Sequence, residues 1–125
     1  MVGFMRKKKD PQPDSDYSAV TSREAALKLV RKGELHPLRL MPLEFGGADV
    51  DVNIVYVPRS AVEMKQHVDL EVIRPLIASG EVTRYTATPR YAGESFVPSA
   101  ITITASDPGD FTATVDVWGG ASPAV

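Results

Sequence analysis

The spacing of apolar positions changes along this chain, and each change marks an element. Ala26, Leu29 and Val30 share one helical face, widened by Ala25 and Leu27, so a helix is predicted up to about Lys32. Thr21-Ser22-Arg23-Glu24 just before it has the form of a capping box, with Thr21 and Glu24 exchanging bonds with each other's backbone N–H. Arg31 and Lys32 suit the negative helix end, and Gly33 suits a left-handed stop. Residues 38–43 then alternate and read as a strand, at an edge or bulged at Pro42, which has no N–H to give to a ladder. Gly46-Gly47-Ala48-Asp49 reads as a turn, and residues 53–57 as a second strand stopped by Pro58.

Ser60 and Glu63 form a second box of capping type. Behind it Ala61, Met64, Val68 and Val72 recur at helical spacing, and Ile73, Leu76 and Ile77 continue the face. Pro75 is expected to kink or break this helix, and Gly80 to end it. Period two returns over 81–88, 96–105 and 111–118. In the second of these Ile101, Ile103 and Ala105 point one way. In the third, Phe111, Ala113, Val115 and Val117 share one face and Thr112, Thr114, Asp116 and Trp118 the other. Asp107-Pro108-Gly109-Asp110 is a strong turn between them. The predicted class is α+β: a ββα core (hairpin plus helix), a C-terminal antiparallel β-meander and an N-terminal helix.

The chain's 125 residues make one domain. Residues 1–20 read as a disordered tail, 21–118 as a single α+β domain, and 119–125 as a short C-terminal tail of small residues. No apolar run approaches the ~20 residues of a membrane helix, and no apolar stretch follows the basic cluster Arg6, Lys7, Lys8 and Lys9. With no cysteine, disulfides, thiolate metal sites and cysteine nucleophiles are excluded. A cytoplasmic protein is therefore expected. Net charge is −2, and beyond residue 20 there are 10 basic against 13 acidic side chains. A domain that grips nucleic acid usually shows a basic excess for phosphate contacts; this mildly acidic balance suits a basic partner, or no charged partner at all.

Few residues offer chemistry. His36 precedes the first strand, and His67 follows Glu63 by four positions on the long helix. Such a pair can share a metal, but two ligands do not complete a site, so it reads as a solvated face. Glu44, Asp49 and Asp51 flank Gly46-Gly47 and could gather a hard cation, although a solvated turn describes them as well. Trp118 is either a lid over the sheet edge or an exposed anchor for a partner.

One stretch goes further. Leu43-Glu44-Phe45-Gly46-Gly47-Ala48-Asp49, then Asn53-Ile54-Val55, then a helix, resembles the ββα-metal core of the bacterial DNA/RNA non-specific endonuclease family, a branch of the His-Me finger nucleases that serve as toxins in bacterial competition. Pro89-Arg90-Tyr91-Ala92-Gly93-Glu94-Ser95-Phe96-Val97-Pro98 is similar to a segment that follows the helix there. The resemblance spans roughly residues 38–105. It implies a general-base histidine ahead of the double glycine, where this chain has Arg39, a cation that accepts no proton. It also implies a metal-binding asparagine on the helix, where this chain offers Gln66 and His67; Asn53 is its single asparagine. Without base and metal ligand in place, what the resemblance implies is an inactive nuclease scaffold kept for binding. That means a non-catalytic domain without a cofactor, in its most concrete form an immunity protein that neutralises a nuclease toxin. Glu44, Asp49, Asp51 and Trp118 are the expected partner-binding residues. The alternative is an active Mg²⁺-dependent nuclease with an unconventional His36, Asn53 and His67 site. A homodimer formed through edge strands is a further expectation.

Overall fold

The computed structural model describes residues 16–119. It is an α+β fold in which two antiparallel sheets and a helical segment enclose one core. The first helix, α1 (Arg23–Arg31), starts one residue later than the expected box. Ser22 is the N-cap, and its hydroxyl accepts the Ala25 N–H at 3.1 Å. Thr21 and Ser22 could both cap; the choice of Ser22 leaves Glu24 in the first turn, facing the positive end of the helix.

Strands β1 (His36–Arg39) and β2 (Ile54–Val57) pair antiparallel, with His36 opposite Val57 and Arg39 opposite Ile54. The expected pairing of these two segments is present, but β1 lies earlier than 38–43. After Leu40, whose N–H donates to the Asn53 carbonyl at 2.8 Å, the chain leaves the ladder ahead of Pro42. The link is not a tight turn at Gly46-Gly47. It runs from 40 to 53 through two 3₁₀ turns, Leu43–Phe45 and Asp51–Asn53.

The next helix, α2 (Arg59–His67), follows Pro58 directly and has no side-chain cap, so the expected Ser60–Glu63 box is not formed. Pro58 itself takes the N-cap position in an extended conformation, and it has no side-chain oxygen to offer as a cap. A π-helical turn (Val68–Ile73) leads on into α3 (Arg74–Ala78). The expected break near Pro75 takes the form of this π turn, which separates α2 from α3, and the proline itself does not end the helical segment. Pro75 sits in the first turn of α3, and the widened turn before it opens space that its ring would otherwise contest with the backbone one turn earlier.

The meander consists of β3 (Val82–Arg90), β4 (Ala100–Pro108) and β5 (Asp110–Asp116), in that spatial order. Its inner face carries Tyr85, Ile101, Ile103, Ala105 and Val115 into the core, in the predicted phase. Gly109 is required at the β4–β5 turn, because a Cβ there would lie 2.7 Å from the Glu81 carbonyl oxygen.

Two further expectations need correction. Residues 16–20 do not belong to a tail. Tyr17 is buried, Ser95 Oγ donates to its carbonyl at 2.8 Å, and Phe96 N donates to the Val20 carbonyl at 2.6 Å. The rest of the expected N-terminal tail, 1–15, and residues 120–125 lie outside the described residues. Trp118 is not an exposed anchor: it is 6% exposed, and its indole N–H donates to the Val97 carbonyl at 2.9 Å. Its ring meets Tyr17 edge-on at 6.3 Å, so the two ends of the described chain close one side of the core together.

Candidate functional site

Two polar constructions stand out. The first is buried. Lys65 on α2 is 1% exposed, and its ammonium donates to Asp69 Oδ2 at 2.6 Å and to Tyr85 Oη at 2.9 Å. Tyr85 Oη lies 2.7 Å from Asp69 Oδ1 and 3.2 Å from the Leu40 carbonyl; its proton goes to the nearer, charged acceptor. Lys65 and Asp69 rise on one helix face because they are four residues apart. Tyr85 comes from the inner face of β3. Burial pushes the Lys65 pKa down, against the opposing pull of Asp69. Burial also pushes the Tyr85 hydroxyl well above its usual range, and the Asp69 carboxylate adds to that. Chemically this is a closed circuit in which each charged or polar group has its partner inside the protein. It joins helix, meander and the start of the 40–53 connection. A cleft of about 420 Å³ lies over it, with Leu38, Arg39 and Leu43 among its walls on one side and Val62, Gln66 and Leu70 on the other.

The second construction is the 40–53 connection itself. Asn53 fastens it from within: its side-chain oxygen accepts the Met41 N–H at 2.8 Å, and its Nδ2 donates to the carbonyls of Met41 at 3.0 Å and Ala48 at 2.8 Å. Gly47 packs so closely that a Cβ would fall 1.9 Å from the Met41 carbonyl oxygen. The three acids expected to act together on this turn are tied to three different elements. Glu44 accepts two bonds from Arg74 of α3 at 2.9 and 3.0 Å, Asp49 pairs with Arg39 of β1 at 3.2 Å, and Asp51 pairs with Arg23 of α1 at 2.9 Å. Hydrogen bonds from Arg74 and Arg23 hold the Glu44 and Asp51 carboxyls below their ordinary pKa values. These acids are therefore not a free acidic cluster. Beside them the connection exposes Leu43, Val50 and Val52, the last of them 87% exposed.

The alternative catalytic set is not gathered. His36 and Asn53 stand at opposite ends of the β1–β2 pair, about 10 Å or more apart by strand rise. His67 is exposed at the last position of α2. All the hydrogen-bonding capacity of Asn53 described above goes to backbone groups. Among the described residues no group of three His, Cys, Asp or Glu side chains could hold a metal ion, and no helix is long and apolar enough to cross a membrane.

Sequence reasoning missed Lys65, Asp69 and Tyr85. The i, i+4 spacing of Lys65 and Asp69 was the available signal, but it looks the same as an exposed helix pair until β3 is placed over it. It also missed the apolar members of the connection, where the acids drew attention and the valines beside them did not. No family model, curated protein or solved structure matches the chain.

Proposed function

We propose that the chain is a non-catalytic protein-binding domain whose recognition element is the 40–53 connection. In the most concrete form of this reading it is a cytoplasmic immunity protein that neutralises a nuclease toxin. The observation that carries the reading is the pairing of exposure with rigidity: Val52, Val50 and Leu43 project from a loop that Asn53, Gly47 and three ion pairs hold in one shape. Apolar anchors ringed by polar groups are the usual anatomy of a binding centre. A loop already held in shape gives up little conformational freedom on binding. Because Glu44, Asp49 and Asp51 each have a cation of their own, they serve as the polar rim and as acceptors that a basic partner can share. The energetic centre moves to Val52.

The test is purification of the tagged chain from its native host, followed by a cleavage assay on whatever co-purifies. A nuclease whose activity stops on adding the chain supports the proposal, provided that Val52→Asp loses both capture and inhibition while remaining folded. Mg²⁺-dependent cleavage of plasmid or RNA by the chain alone, abolished by His36→Ala, would replace it with the catalytic reading.

A further inference from the structure

The outer face of the meander carries a regular array. Residues on this face alternate with the core-facing ones, and the two registers line them up in four rows across the sheet. The two central rows are all threonine: Thr86, Thr104 and Thr112, then Thr88, Thr102 and Thr114. The flanking rows are Arg84, Ser106 and Asp110 at one end and Arg90, Ala100 and Asp116 at the other. The β3 edge is thus basic at both corners and the β5 edge acidic at both. Among the described residues Arg90, Asp110 and Asp116 have no ion-pair partner, and Arg84 has only a 3.4 Å contact to Asp107 in which both side chains are exposed.

This distribution is its own complement. A two-fold axis lying in the face along β4 turns the sheet over and sets β3 of one copy on β5 of the other. Each row then meets itself reversed: Arg84 faces Asp110, Arg90 faces Asp116, and threonine faces threonine. Tilting the axis by about 15° from β4 gives the ~30° crossing that twisted sheets adopt when stacked, without changing which rows meet. The geometry points to a face-to-face dimer of this chain through the threonine face, with the four Arg–Asp contacts at its corners. The contact is isologous and closes on itself, so it makes dimers and not filaments. Strand spacing and rise give a patch of about 400 Å² per copy. That is about half of a standard interface, so the dimer is transient and forms toward the millimolar range. Threonine methyls make a shallow apolar centre, and the charged corners form the rim. The face is on the far side of β3 from Tyr85, which contacts Leu40 and Phe45 of the 40–53 connection. The dimer therefore leaves that connection uncovered and does not depend on the binding role proposed for it.

The experiment is sedimentation equilibrium of the full chain from micromolar to millimolar concentration, repeated for two charge reversals. One is Arg84→Asp with Arg90→Asp, which makes both edges acidic. The other is Asp110→Arg with Asp116→Arg, which makes both edges basic. Wild type is expected to show a salt-sensitive monomer–dimer equilibrium, and each reversed variant to self-associate at least about tenfold more weakly, since like charges then face each other. An equimolar mixture of the two variants is expected to regain a dimer, because acidic edges then meet basic ones. A misfolded variant could not give that rescue. Wild type that stays monomeric throughout, variants that dimerise as wild type does, or a mixture that fails to pair each overturns the proposal.

Discussion

Two of the places where the protein sets carboxylate against cation have opposite surroundings. Around the 40–53 connection three such pairs lie in water, each side chain between 42% and 74% exposed. Under the cleft a single pair, Lys65–Asp69, is sealed from solvent and completed by a tyrosine. Exposed pairs have little effect on stability because water competes for both members and salt screens them. What they do here is fix geometry, since each ties the loop to a different element. The buried pair has the reverse character. Both ions gave up their hydration, and removing either one leaves the other stranded. The comparison teaches that one interaction type can hold a binding loop in shape at the surface and become a structural commitment in the core.

The sharpest way to break the comparison is Lys65→Ala. It strands Asp69 and removes a donor to Tyr85, and should lower unfolding free energy by about 3–5 kcal/mol in a denaturant titration. The double change Lys65→Met with Asp69→Leu removes both charges together and should lose much less. If the single and the double variants cost the same, the network is not acting as a charge pair. Next comes Asn53→Ala, which leaves the Met41 N–H and two carbonyls without their partner. A loss of about 2–3 kcal/mol is expected for groups that are only partly buried, and Met41 should become more accessible to oxidation. Unchanged stability would mean that the ion pairs alone shape the loop.

The third prediction concerns alkali. The Tyr85 pKa is raised in the folded state, so the hydroxyl keeps its proton there after an unfolded chain has released it. Its contribution is complete below the unfolded value near 10 and is lost as pH rises above it. Tyr85→Phe should flatten the alkaline fall in melting temperature; an unchanged slope would contradict the coupling. The smallest effect belongs to the surface pairs. The Glu44 and Asp51 pKa values are lowered, so what these pairs contribute is present above the ordinary values of 4.5 and 3.8 and fades as pH falls below them. Glu44→Gln with Asp51→Asn should leave the melting temperature at neutral pH almost unmoved and soften only the acid limb. A large loss at neutral pH would erase the distinction between the two regions.

Much of the fold is legible wherever one face of an element is buried and the other wet. The meander phase of Ile101, Ile103 and Val115 follows from period two alone, and alternation marks β2 as a strand without saying which strand it pairs with. Elements controlled by tertiary contact were not legible. Gly46-Gly47 looks like a hairpin turn, yet the chain spends a longer excursion there because Asn53 supplies backbone partners that no local pattern announces. Trp118 continues the polar face of its strand by parity, but the chain has left the ladder by then and the ring swings into the core. Tyr17 sits among residues of tail-like composition, and its contacts with the distant Ser95 and Trp118 are not visible in that composition. The Lys65 network needed residues 16 and 20 positions apart to meet.

The Asn53 clasp also bears on how the molecule breathes. Its side chain leaves the backbone next to β2 and holds Met41, one residue beyond the last ladder bond of β1. The Met41 amide therefore cannot exchange its proton for deuterium through a small movement of the loop tip. It has to wait for the clasp to open, and the clasp is anchored on a strand. Residues that look irregular are in this way drawn into the same cooperative opening unit as the β1–β2 pair. The Met41 amide should share the protection of Leu40 beside it, while amides nearer Val50 exchange freely.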